Sequence, residues 1–327
     1  MTKLTLSRAL NEGLRKALEN DPKALIMGED VGKLGRVFRV TDGLQKDFGE
    51  ARVVDTPLAE SGIIGTAIGL ALRGYRPVCE IQFDGFVFPA FDQIVSQLAK
   101  MRYRSKGQLS LPITVRIPFG GGIGAVEHHS ESPEALFAHT AGLRVVACGD
   151  PSDAYVMIQQ SISCDDPVIF FEPKRRYWDK ADVDTAGGLA SAPPLSAART
   201  VVSGTDATLL AYGPMVRTCA EAAVAAREDG RSLEVIDLRS LSPLDTGTIF
   251  DSVRRTGRCI VVHEGAANGG LGAEIAARIS EECFYHLEAP VLRVCGYSTP
   301  YPPSRLEDHY LPDLDRVLDG VDRSFAY

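Results

Sequence analysis

The sequence predicts an α/β protein of two consecutive domains, and three observations carry that reading. Continuous apolar runs alternate with helical patterns through the first half of the chain, as strands of a parallel sheet covered on both faces do. The alternation breaks at DVDTAGGLASAPPLSAART, residues 182–200, which is rich in Ala, Gly, Ser and Pro and has no period. It then restarts and continues towards the C-terminus. We expect a first domain over residues 1–185, a linker over 186–200 and a second domain over 201–327.

The elements follow in order. Leu6, Leu10, Leu14 and Leu18 recur at helical spacing, and Asp21-Pro22 ends that helix. ALIMG and RVVDT are strand-like, and a helix from about Ser61 to Leu72 follows, with Ser61 as its cap. PVCEIQF reads as a strand and FPAFDQIVSQLAKMRYRS as one helix. PITVRIP, LRVVAC and PVIFF are strands, with SPEALFAH and DAYVMIQQSIS as helices among them. In the second domain ATLLAYG, LEVIDL, RCIVVHE and PVLRVCG are strands. Helices are expected over 215–227, near 245–255 and at AEIAARISEECF.

Composition narrows the function. The chain has 327 residues, 45% of them apolar, enough for a sizeable core. Its 43 acidic against 35 basic residues give a net charge of −8, which argues against nucleic-acid binding. The 7 cysteines are scattered without a C-x-x-C pair, so buried thiols in a reducing cytoplasm are expected and no disulfide or zinc framework. MTKLTLSRALNEGLRK carries charges throughout and is no signal peptide, and no apolar window reaches the ~20 residues that span a bilayer.

The catalytic candidates stand out against absences. There is no G-x-x-x-x-G-K-[ST] loop, no G-x-S-x-G elbow, and no glycine pattern that fits a dinucleotide fingerprint. Glu60 lies between the strand that ends at Asp55-Thr56-Pro57 and a helix made bare by Gly62, Gly65 and Gly69. A carboxylate there is either functional or an acid at the positive end of a helix dipole. His128 and His129 sit in a glycine-rich loop after a strand, suited to acid–base work, or else simply exposed. Phe83, Phe86, Phe88 and Phe91 mark a strand-to-helix passage where aromatics are usually core. His263-Glu264 ends a second-domain strand beside AANGGLG, where structural capping is the plainer reading.

Together LIMGEDVG, RVVDTPLAESGIIGTAIGLAL, EIQFDGFVFPAFDQIVSQLAKMRYRS, EHHSESPEALFAHTAGLRVV and PVIFFEPKRRY resemble the beta subunit of the thiamine-diphosphate-dependent decarboxylating component of 2-oxoacid dehydrogenase complexes. The resemblance runs from about residue 4 to the C-terminus and is densest between 50 and 175. EIQF, FPAFDQI, SPEALFAH and IFFEPK are most similar to the branched-chain 2-oxoacid type, with a pyruvate- or acetoin-specific member as the alternative.

The resemblance implies a pyrimidine-binding domain, a parallel sheet sandwiched by helices, followed by a transketolase C-terminal-type α/β domain. It implies an α2β2 heterotetramer whose alpha subunit supplies the diphosphate and Mg2+ half of the site. This chain lacks the G-D-G motif of that half. It implies reductive acylation of lipoyl groups on an acyltransferase core docked through the C-terminal domain, where Asp313, Asp315, Asp319 and Asp322 form an acidic tail. Glu60 matches the glutamate that bonds the pyrimidine N1′, Phe86 the aromatic on the aminopyrimidine, and Leu58 a contact to the same ring. His129 matches the histidine near the substrate and the lipoyl group, and His128 is left to loop structure. A potassium site of some relatives maps to Ile113, Ser161, Ile162, Cys164 and Asp166, with Cys164 in place of an aspartate. A reading of another class, a non-catalytic assembly subunit, stays open; intact Glu60, Phe86 and His129 count against it.

Overall fold

The computed structural model describes every residue of the chain except 36, 188, 190 and 191. Up to residue 183 the elements are β1 (Thr2–Thr5), α1 (Leu6–Asn20), β2 (Ala24–Gly28), α2 (Leu44–Phe48), β3 (Val53–Asp55), α3 (Glu60–Leu72), β4 (Arg76–Glu80), α4 (Ala99–Arg104), β5 (Thr114–Phe119), α5 (Glu134–Ala138), β6 (Arg144–Ala147), α6 (Pro151–Ser163), β7 (Val168–Pro173) and β8 (Lys180–Val183). The second part holds β9 (Arg199–Val202), β10 (Ala207–Ala211), α7 (Met215–Ala226), β11 (Leu233–Asp237), β12 (Ser240–Ser242), α8 (Thr246–Thr256), β13 (Cys259–Ala266), α9 (Leu271–Glu282), β14 (Leu292–Gly296), α10 (Glu307–Tyr310) and α11 (Leu314–Ser324).

Among the described residues these strands form three sheets, ordered β12-β6-β7-β5-β4-β2-β3, β14-β13-β10-β11-β9, and the pair β1-β8. The first two are parallel apart from β12 and β9, each of which runs antiparallel to its neighbour. Their central strands are buried on both faces, which is why β2, β5 and β7 read as unbroken apolar runs. Local chemistry sets several boundaries. Thr5 caps α1 by accepting from Arg8 N at 3.2 Å, and the leucine stripe of α1 is buried against α6. Asp150 caps α6, accepting from Asp153 N at 2.9 Å, with Pro151 at the first helical position.

One apolar core lies over α1 and α6, and a second fills the space between the other face of the first sheet and the second sheet. Phe119 and Ile117 of β5 meet Leu210 and Tyr212 of the second part within that shared core. A third cluster lies under α7 and α11.

The structure departs from the sequence reading at three places. The single helix expected over FPAFDQIVSQLAKMRYRS is broken into a 3-10 turn at Asp84–Ala90, a π-helical turn at Gln93–Leu98 and α4. Pro89 lies inside the first turn and lacks the N–H that a regular helix needs. Ser61 is not a cap: α3 begins at Glu60 itself, and Ala59, in the capping position, makes no side-chain bond. Of the expected linker, residues 188, 190 and 191 lie outside the described residues, and Arg199 already belongs to β9. Among the described residues no helix is long and apolar enough to cross a membrane.

Candidate active site

The carboxyl ends of β2 and β3 place the acidic half of the site, where open α/β sheets bind ligands. After β3, Thr56 N donates to Gly28 O at 2.9 Å, and Asp55 accepts from Gly32 N at 2.6 Å, so the two strand ends are tied together. Pro57 then turns the chain into α3, whose first residue is Glu60. Glu60 is only 8% exposed, and among the described residues its carboxylate has no hydrogen-bond or ion-pair partner. Burial, and then the charges of Glu60 and Asp30, push the Glu29 carboxyl above the usual carboxylate range. Glu29 Oε1 is buried without a hydrogen-bond partner. Two carboxyls near one another without a hydrogen-bond partner suit a ligand group that can donate to them. Leu58, two residues ahead of Glu60, is 74% exposed.

The Asp84–Ala90 turn packs on α3 on one side and on the Glu127–His129 turn on the other. Phe86 points its edge at His129, with centroids 5.2 Å apart and planes at 86°. Phe83, not singled out above from its aromatic neighbours, lies flat on the His129 ring at 4.0 Å and 17°. His128 is exposed, its ring 4.3 Å from that of His129. The backbone of this turn is held from below: Lys174 Nζ donates to His129 O at 2.6 Å and pairs with the fully buried Asp84. Asp84 also accepts from Glu131 N at 2.7 Å. The structure thus brings Phe86 and His129 together, on a turn that also packs against α3, the helix Glu60 begins.

A cavity of about 320 Å³ opens beyond Ser130, lined by Glu131, Glu134, His263, Glu264, Tyr301 and Tyr310 among others. Glu134 is the first residue of α5, and its Oε1 accepts from the Tyr212 hydroxyl at 2.5 Å. Burial pushes its carboxyl up to about 7 despite that hydrogen bond. His263 holds the first turn of α9 by accepting from Gly272 N at 3.2 Å, and burial keeps the ring neutral, with a pKa of about 4. Capping therefore describes His263. Glu264 does not cap: it pairs with Arg175 at 2.6 Å and accepts from Gly121 N at 3.0 Å, across the interface between the sheets.

The family profile described as "Transketolase, pyrimidine binding domain" matches residues 2–179, and "Transketolase, C-terminal domain" matches residues 196–317. The chain is 62% identical over 324 residues to the pyruvate dehydrogenase E1 component subunit beta of Leifsonia xyli subsp. xyli, covering 99% of this chain and 95% of the relative. It is 56% identical over 321 residues to the 3-methyl-2-oxobutanoate dehydrogenase subunit beta of Mycobacterium tuberculosis, covering 98% and 91%. The chain belongs to the E1 beta-subunit family of 2-oxoacid dehydrogenases. A solved split-gene transketolase, an inactive beta4 tetramer, shares the fold of this beta subunit at a TM-score of 0.80 and 22% identity, over 99% of this chain and 98% of that one.

In this beta subunit the positions matched to potassium come together at the N-terminal ends of β5 and β7, and the carbonyls of Ile113, Ser161, Ile162 and Cys164 already have donors. Ile113 O accepts from Val168 N at 2.9 Å, and Ser161 O from Cys164 N at 3.2 Å. Arg76 Nη1 donates to Ile162 O at 3.2 Å and Cys164 O at 3.1 Å, and Nη2 to Asp165 at 2.7 Å. Asp166 is held by Arg102 and by Arg144 Nε, the latter at 3.0 Å. Among the described residues no group of three or more His, Cys, Asp or Glu side chains is arranged to hold a metal ion.

Sequence reasoning missed Asp84, Lys174 and Glu29 as members of the site. Asp84 follows β4 and Lys174 follows β7, 90 residues apart in sequence, and only the strand order β4-β5-β7 brings them together. Both stand inside motifs quoted above, EIQFDGF and PVIFFEPK, where a lone charge beside an apolar run is the available signal.

Proposed function

We propose that this chain is the beta half of a thiamine-diphosphate-dependent decarboxylase that oxidises a 2-oxo acid and acylates lipoyl groups, with residues 1–185 holding the cofactor's pyrimidine and residues 201–327 docking the acyltransferase core. The observation that carries the reading is Glu60: a buried, unpaired carboxylate at a helix start, beside a second unpaired carboxyl. Such a pair fits the ring-nitrogen end of an aminopyrimidine. Thiamine diphosphate, when bound, supplies the electron sink that stabilises the carbanion left when carbon dioxide departs. Glu60 would hold a proton at the pyrimidine N1′, since its buried carboxyl has no competing hydrogen-bond partner in the chain. Leu58 and Phe86 would cover the ring and exclude water. His129, its ring fixed by Phe83 and its carbonyl by Lys174, would carry the proton needed on acyl transfer.

The diphosphate and its Mg2+ fall to an alpha subunit in an α2β2 assembly, a reading supported by the absence of the G-D-G motif from this chain. Potassium does not fit the donor set at Ile113, Ser161, Ile162, Cys164 and Asp166, because the Arg76 guanidinium already supplies positive charge to two of the carbonyls. The substrate is a 2-oxo acid, for which the branched-chain type is favoured by the EIQF, FPAFDQI and IFFEPK segments. A second reading, pyruvate, is favoured by the name of the relative at 62% identity.

Co-expression with an alpha subunit and a panel of 2-oxo acids, acetoin included, tests this directly. The assembled pair is expected to decarboxylate, and Glu60→Gln is expected to abolish turnover while the pair still assembles. Full activity of the isolated chain would refute the half-site reading, and unchanged turnover of Glu60→Gln would favour an assembly subunit.

A further inference from the structure

Glycines crowd the chain just ahead of His129, at Gly120, Gly121, Gly122 and Gly124. The loop they open is closed at its base, where Gly120 N donates to Glu131 O at 2.9 Å. Three of its amides leave the first domain altogether. Gly121 N donates to Glu264 at 3.0 Å, Gly122 N to Glu307 Oε1 at 2.8 Å, and Gly124 N to Glu307 Oε2 at 2.9 Å. Glu264 lies near the end of β13 and Glu307 opens α10, so both carboxylates belong to the second domain. They are 3% and 6% exposed.

The glycines are what let this convergence happen. Gly120, Gly122 and Gly124 have φ of +81°, +83° and +69°, the left-handed region that other residues avoid. A Cβ on Gly122 would sit 2.7 Å from Arg175 Cδ, and one on Gly121 would run into the Tyr301 hydroxyl. Successive amides in such conformations form a concave anion-binding nest, and here a protein carboxylate fills it. The Tyr301 hydroxyl donates to Glu307 at 2.5 Å, and Arg175 balances Glu264 at 2.6 Å. Bonds of this charge-assisted kind are strong when dry. The far end of the same loop is fixed from the first domain, by Lys174 on His129 O and Asp84 on Glu131 N.

We infer that Glu307, with Glu264 beside it, is a positioning residue: through the glycine amides the second domain fixes the loop that presents His129. The second domain is then part of the reaction geometry as well as a docking surface. This inference rests on the role proposed above for His129.

The test uses the reconstituted complex with its alpha subunit. Glu307→Gln keeps the shape but turns one acceptor into an NH2 facing a glycine N–H. The expected result is a fall of about ten-fold in kcat for lipoyl acylation, the size of one charge-assisted bond. KM for the 2-oxo acid stays within about two-fold, because ground-state binding is untouched. Hydrogen exchange across residues 120–131 accelerates. In a His129→Ala background Glu307→Gln causes no further loss of kcat, since residues acting as a unit are non-additive. Tyr301→Phe, which leaves the carboxylate in place, gives a smaller change in the same direction and covers the case in which Glu307→Gln fails to fold. Unchanged exchange across the loop, or losses that multiply with His129→Ala, would overturn the inference. An inactive wild-type complex would instead remove the functional reading, while the exchange rates still decide whether Glu307 holds the loop.

Discussion

Replacing Glu134 by Gln should remove a pH-dependent strain from the fold. Glu134 is 1% exposed, accepts from Tyr212 at 2.5 Å through Oε1, and leaves Oε2 buried without a partner. Its carboxyl titrates at about 7 against an ordinary 4.5, because burial outweighs the Tyr212 bond. From pH 4.5 to 7 the unfolded chain has therefore lost a proton that the folded chain still holds. Stability must fall as pH rises through that window and level off above it. At about 1.4 kcal/mol per unit, the shift from 4.5 to about 7 amounts to about 3 kcal/mol. Gln preserves the acceptor for Tyr212 and cannot ionise. The two proteins should melt together near pH 5, and by pH 8 the variant should melt higher by roughly 6–12 °C, at about 2–4 °C per kcal/mol. Differential scanning fluorimetry of both proteins from pH 5 to 8 reads the difference, in which every other titrating group cancels. Parallel curves across the whole range would refute the buried-carboxyl argument.

Arg116 is fully buried between Glu80 and Glu172, at 2.6 Å from each. Arg116→Met should cost about 3–5 kcal/mol in urea unfolding, because it removes one partner of a buried ion pair made to both carboxylates. Arg76 donates to the Ile162 and Cys164 carbonyls, so exchanging KCl for NaCl at equal ionic strength should leave the melting temperature unchanged, whereas Arg76→Ala should lower it. Leu58 is exposed, so Leu58→Ser should leave the stability of the isolated chain within about 0.5 kcal/mol. In the reconstituted complex the same change should weaken thiamine diphosphate binding, measured by calorimetric titration.

Much of the fold was legible because the parallel strands are buried on both faces and advertise themselves as apolar runs, as at ALIMG and PVIFF. Glu60 was legible for the opposite reason: a charge where the surrounding pattern is apolar. The interruption of the 88–105 segment was not, since its apolar spacing suits a helix and only Pro89 warned against one. The roles of Glu264 and Glu307 were also hidden. Nothing in one sequence says that glycine amides near residue 122 will find carboxylates near residues 264 and 307, because that meeting depends on how two sheets pack. Of the His263-Glu264 pair, for which capping was the plainer reading, only His263 caps, accepting from Gly272 N.

The short strand β12 has a consequence for how the gene can be cut. It comes from the second half of the chain, yet it borders β6 at the rim of the first sheet. A truncation placed at the 186–200 boundary would deliver a first half with an open β rim carrying Val145 and Val146. Bare rims of that kind recruit other chains. Splitting or swapping the halves, in the laboratory or in evolution, therefore calls for carrying residues 240–242 along or blunting the β6 rim with charge.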